Sequence, residues 1–238
     1  MNRTSITGLA CLLAVALTAC AGGGEPPAPS GSPASAPLEA LKEPANSMSV
    51  SPPLSPAPVS AEALAAYRAL LAGEPGALDR PPEGLELHQV TLPPAEELEY
   101  VLLDLDGDGG AELVVQMVAQ PHQFNAVFHY GDGELSCWQY DIMEMSCRDY
   151  PLGDGAMVRQ YDTGTGPNRY SNLYTVFRYL PDGETEECAS LAVHQDTQED
   201  GTEVFTYLVD DAEVDQDTFA AEFEELVGSR LLSLEDWT

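Results

Sequence analysis

The sequence predicts an α+β domain, mainly an antiparallel β-meander sheet with an N-terminal and a C-terminal helix packed on it. Three observations carry this. Short alternating apolar runs follow one another from about residue 98 to 209. The turns between them are Gly-Asp-Gly, Pro-Asp-Gly and Glu-Asp-Gly, which are hairpin punctuation. Only the two flanks of this region change to a helical period.

Ser60 is the expected N-cap of the first helix, which runs to Leu71 with Leu64, Tyr67 and Leu71 on one face and Gly73 at its stop. Glu74 to Gly84 reads as loop, and Leu85 to Leu92 as a partly alternating strand ended by Pro93-Pro94. Tyr100 and Leu113–Val118 open the run of strands. Asn125–Tyr130 and Leu135–Tyr140 flank Gly131-Asp-Gly-Glu134, and Leu173–Tyr179 and Cys188–His194 flank Pro181-Asp-Gly-Glu184. Val204–Val209 follows Glu199-Asp-Gly201. Asp215 or Asp217 then caps a helix whose stripe is Phe219, Phe223, Leu226 and Val227, with Gly228 after it. The arrangement expected is one sheet covered on one face by both helices. The acidic loop described below occurs once, which argues against a propeller built from repeats of it.

The chain of 238 residues divides unevenly. Residues 1–19 have Arg3 as a charged start and Ile6–Ala16 as an apolar stretch too short to span a bilayer, the pattern of an export signal. Residues 20–59 hold ten of the nineteen prolines, with Gly, Ser and Ala, and cannot bury a core. They are expected to form an extended stalk reaching up to about 100 Å. The folded domain is expected over 60–238. With acids outnumbering bases 40 to 9, the chain carries −31, and −32 once residues 1–19 are removed. Such a surface disfavours nucleic acid and anionic headgroups. Cys137, Cys147 and Cys188 are an odd set for an exported domain, and no obligatory disulfide is expected among them.

The chemistry concentrates in Asp104-Leu-Asp106-Gly-Asp108-Gly-Gly110-Ala-Glu112. Carboxylates stand at relative positions 1, 3, 5 and 9 with glycine at 6, between apolar strand-like flanks. Alternate side chains of a tight loop supply the six to eight oxygens that Ca²⁺ takes. Position 12 is Val115 where an EF-hand places a bidentate glutamate, so the loop is not an EF-hand. The expected ligands of one Ca²⁺ are the side chains of Asp104, Asp106, Asp108 and Glu112 with the Gly110 carbonyl. Gly109 supplies a positive φ. The alternative is an acidic turn that holds no metal.

Two resemblances add to this reading. Leu17-Thr-Ala-Cys20 resembles the lipobox of bacterial lipoproteins, which implies cleavage before Cys20 and a diacylglycerol on its sulfur. The loop resembles the Asp-x-Asp-Gly-Asp-Gly-x-x-Asp/Glu-Leu motif of FG-GAP/VCBS-type calcium loops. Glutamate replaces the commoner aspartate at its ninth position. The whole chain resembles firmicute-type lipoproteins with a lipobox, a stalk, one such loop and a run of hairpins. This implies calcium binding and display on the extracellular face of a membrane, with membrane attachment through the lipid.

No catalytic motif is recognisable. His88, His122, His129 and His194 are scattered without zinc spacing, and no nucleophile elbow exists. Asp196, Glu199, Asp200 and Glu203 read as a solvated hairpin tip, and Trp138 and Trp237 as packing residues. The preferred expectation is a monomeric, non-catalytic binding or interaction module with a wall or protein ligand. The alternatives are a hydrolase of wall glycan or peptide using unassigned carboxylates, and a solute-binding lipoprotein. A deep pocket holding a close carboxylate pair would favour the hydrolase.

Overall fold

A computed structural model describes residues 57–141, 147–166 and 168–238. The export signal, Cys20 and the stalk up to residue 56 lie outside the described residues. What is described is α+β, with antiparallel pairing between its strands: α1 (Ala61–Leu71), strands β1 (Leu98–Leu103), β2 (Glu112–Met117), β3 (Gln120–Gly131), β4 (Glu134–Tyr140), β5 (Cys147–Pro151), β6 (Met157–Gly166), β7 (Arg169–Tyr179), β8 (Thr185–Thr197), β9 (Glu203–Val209) and β10 (Ala212–Val214), then α2 (Gln216–Leu226).

Sequence neighbours pair throughout, as the meander predicts, except β4 and β5, where the run divides into two sheets. One has the order β1-β2-β3-β4, the other β10-β9-β8-β7-β6-β5. Each helix therefore covers its own sheet. Ala63 and Tyr67 of α1 pack with Leu113, Val115, Phe128 and Leu135 of the first sheet. Phe219 and Phe223 of α2 pack with Tyr174, Val176 and Leu191 of the second. The inner faces meet in a third cluster, where Val101, Leu103, Val114 and Val127 face Met157, Phe177 and Tyr179. The layers run helix, sheet, sheet, helix. The split explains β2, whose Leu113-Val-Val115 run is apolar without alternation because both its faces are buried.

Both helices start where the caps predict. The Ser60 hydroxyl accepts the Ala63 N–H at 3.0 Å, and the Asp215 carboxylate accepts the Thr218 N–H at 2.7 Å. The β3–β4 turn places Asp132 and Gly133 at φ of 53° and 82°, the left-handed pair of a two-residue hairpin. The strand expected over Leu85–Leu92 is absent. Leu87–Gln89 forms a 3₁₀ turn instead, closed by the Glu86 N–H donating to Gln89 Oε1 at 2.7 Å. Proline pairs on both sides of this stretch remove the donors a strand needs. The short β10 follows Asp210 and Asp211, both left-handed, a turn without the glycine that would signal it. No disulfide joins the described cysteines.

Candidate metal site

The acidic loop is the β1–β2 connection. Leu103 and Glu112 are register partners, so residues 104–111 must reverse the chain within one strand spacing. Carboxylates organise the turn from inside. Asp104 accepts the N–H groups of Gly107 at 2.7 Å and Gly109 at 3.1 Å, Asp106 accepts Asp108 N–H at 3.0 Å, and Asp108 accepts Gly110 N–H at 2.6 Å. Gly107 and Gly109 take φ of 78° and 90°, conformations a Cβ would strain. Leu105 points the other way and is 1 % exposed in the cluster between the sheets. The same alternation that turns Asp104 and Asp106 outward anchors the loop to the core.

Glu112 is almost fully buried. Its Oε2 accepts the Leu105 N–H at 2.7 Å, and its Oε1 accepts from His129 Nδ1 at 2.9 Å. Burial pushes the Glu112 carboxyl up, and the His129 contact opposes that. His129 is raised by its hydrogen bond to Glu112, against its own burial. Burial also raises Asp106, helped by the charges of Asp108 and Asp104. Its Oδ2 is buried without a hydrogen-bond partner.

Among the described residues, possible metal-ligand atoms converge in two groups that share Asp106. One is Asp104, Asp106 and Asp108; the other is Asp106, Glu112 and His129. Four of the five residues expected from the sequence thus supply converging atoms. Gly110 lies beside them, its backbone held by Asp108. These groups can hold a metal ion. His129 is the residue that sequence reasoning passed over as a scattered strand histidine. Only strand register reveals it: Leu113 pairs with Phe128, which puts His129 across from Glu112.

The other candidates fall apart as centres of chemistry. His88 is exposed beside Glu86, and His194 contacts Ser171 at 2.7 Å. Asp196 pairs with Arg169 at 3.3 Å, and Asp200 caps its own turn through the Thr202 N–H. Trp237 is buried between the sheets. Trp138 stacks between His129 and Tyr179, with ring centroids at 4.3 and 5.3 Å, so packing occupies its ring.

A second polar centre closes the seam between the sheets. Gln139 on β4 donates to both Asp141 and Asp149 on β5, and accepts the Tyr179 hydroxyl at 2.6 Å. Asp149 is 2 % exposed and takes both of its oxygens to Arg159 at 2.8 Å. Asp141 faces a cleft of about 660 Å³. Burial first and then Asp149 push its carboxyl up to about 6. Ionising Asp141 therefore opposes folding: its contribution is most favourable below the ordinary value near 3.8 and is lost as pH rises through about 6. Asp141→Asn should raise Tm by about 2–4 °C near neutral pH and leave it unchanged near pH 4, read from melts across that range. Equal melts at neutral pH would remove the argument.

No family model, curated protein or solved structure matches the chain.

Proposed function

We propose that the chain is an exported protein, lipid-anchored at Cys20, whose domain is clipped by one Ca²⁺ in loop 104–112 and serves as a non-catalytic binding module. The observation that carries the calcium reading is the buried, unpartnered Oδ2 of Asp106 at the point where two carboxylate groups converge. A buried carboxylate oxygen without a donor is costly unless a cation takes it. The donor set is dominated by hard oxygens in a flexible glycine loop, which suits Ca²⁺ better than the rigid octahedron of Mg²⁺. Asp104, Asp106 and Asp108 would hold the ion, while Glu112 and His129 buttress the inner side. The ion's contribution is charge neutralisation and loop closure.

Non-catalytic binding is preferred over hydrolysis because the close carboxylate pair at the inter-sheet cleft, Asp141 and Asp149, is not an acid–base couple. Asp149 is sealed and engaged on both oxygens by Arg159, so it has no free oxygen to act as a base beside Asp141. The solute-binding alternative receives no support from a purely antiparallel pair of sheets.

With a dissociation constant of about 0.1 mM and Ca²⁺ at about 1 mM, the ion adds roughly 1.4 kcal/mol. Melts of the full chain should shift up by about 3–6 °C with Ca²⁺ relative to chelator, and less with Mg²⁺. Asp106→Ala should lose most of this response. Identical melts in all conditions would sink the assignment.

A further inference from the structure

The cleft at Asp141 does not stand alone. A second cleft of about 530 Å³ shares Glu83, Trp138, Gly183 and Thr185 with it, so the two form one groove along the seam between the sheets. Each volume lies in the range of specific ligand sites. Trp138 is the ridge between them. It is braced by His129 and Tyr179, and Gly183 approaches so closely that a Cβ there would lie 2.6 Å from its ring.

The groove is built for one sign of charge. Glu83, Asp141 and Glu187 line one half, and Asp132, Asp182 and Glu184 the other. The two lining arginines are already engaged, Arg159 by Asp149 and more distantly by Asp141 at 3.7 Å, and Arg80 by Glu134. Asp141 differs from the solvated acids. Gln139 and Arg159 both hold its Oδ2, Arg159 at 3.7 Å, yet the buried Asp149 behind it keeps its negative charge costly, so a further cation is still favoured there. Tyr140 adds partly exposed aromatic surface beside it, while the ring of Phe177 is already covered by the Arg159 guanidinium at 5.7 Å. An elongated groove with acids along its length fits an extended chain better than a compact molecule.

We propose that this groove binds an extended peptide segment carrying lysine or arginine, with Asp141 receiving a basic side chain at the centre of one half. The proposal rests on reading the domain as a binding module and not on the calcium assignment, so the calcium melts and the test below fail independently.

The test is calorimetric titration of the full chain, saturated with Ca²⁺, with tetralysine at low and high salt. Asp141→Asn and Asp200→Asn are titrated alongside. Asp200 caps the β8–β9 turn, at the opposite end of β8 from the groove. Saturable one-to-one binding is expected, weakened by salt, about tenfold weaker in Asp141→Asn and unchanged in Asp200→Asn. The Asp141→Asn variant should also melt higher than the wild type while binding less, a combination that a structural role for Asp141 would not produce. The proposal is overturned if tetralysine fails to saturate at low salt. Equal weakening in both variants would overturn it too, because it would mean diffuse attraction to a polyanion. So would unchanged affinity in Asp141→Asn, or a preference for neutral chitotetraose, which would keep the module and reject the peptide.

Discussion

Gly155→Ala is expected to destabilise the domain by about 4 kcal/mol, lowering Tm by roughly 8–16 °C. Gly155 sits in the turn between β5 and β6 at φ of 82°, and a Cβ there would lie 2.0 Å from the carbonyl oxygen of Asp104. The left-handed backbone alone costs a β-carbon about 1–2 kcal/mol. The overlap adds more because neither side can retreat. On one side, Leu152 exchanges hydrogen bonds across the turn with Gly155 and Ala156, and Asp154 is clamped by Arg230 at 2.7 Å and Arg178 at 2.8 Å. On the other, Leu105 pins the acidic loop into the core. The contact therefore joins the loop of the first sheet to a turn of the second. Gly201→Ala is the comparison: its φ is 83°, yet nothing lies within 4 Å of its Cβ position. It should cost only about 1 kcal/mol. Denaturant midpoints of both variants check this, and equal losses would show that Gly155 matters for its φ alone.

Much of this architecture is local and therefore readable. Ser60 and Asp215 announce their helices because a side-chain cap acts within three residues, and Asp132-Gly133 announces its hairpin for the same reason. The spacing of Asp104, Asp106 and Asp108 is likewise a property of one turn. The division into two sheets is different. Alternation marks which side chains share a face but not which sheet the face belongs to, so β4 and β5 look like any other neighbours. Leu113-Val-Val115 held the one clue, an apolar run buried on both faces. His129 meets Glu112 only through the β2–β3 register, and Asp141 meets Asp149 across the join between the sheets. In a chain with forty acids, nothing local distinguishes those two from the rest.

Glu112 is where the readable and the hidden parts meet, and Glu112→Ala should cost about 3 kcal/mol even in chelator. The loss arises without any ion. The substitution strands the buried Leu105 N–H, removes the acceptor of His129 Nδ1, and opens space at a position only 1 % exposed. An unpaired buried donor costs about 1–3 kcal/mol by itself. Glu112→Gln separates the two roles this side chain was given. Its amide oxygen still accepts the Leu105 N–H, and it spares the site a buried negative charge, so its melt in chelator should stay within about 1 kcal/mol of wild type. If Glu112 also binds the ion, that variant keeps its stability in chelator and loses the calcium-dependent rise. If the rise survives in Glu112→Gln, the carboxylate is a buttress behind the ligands. A Glu112→Ala variant that melts like wild type in chelator would contradict the buttress itself, because the pairs to Leu105 and His129 would then carry no weight in the folded domain.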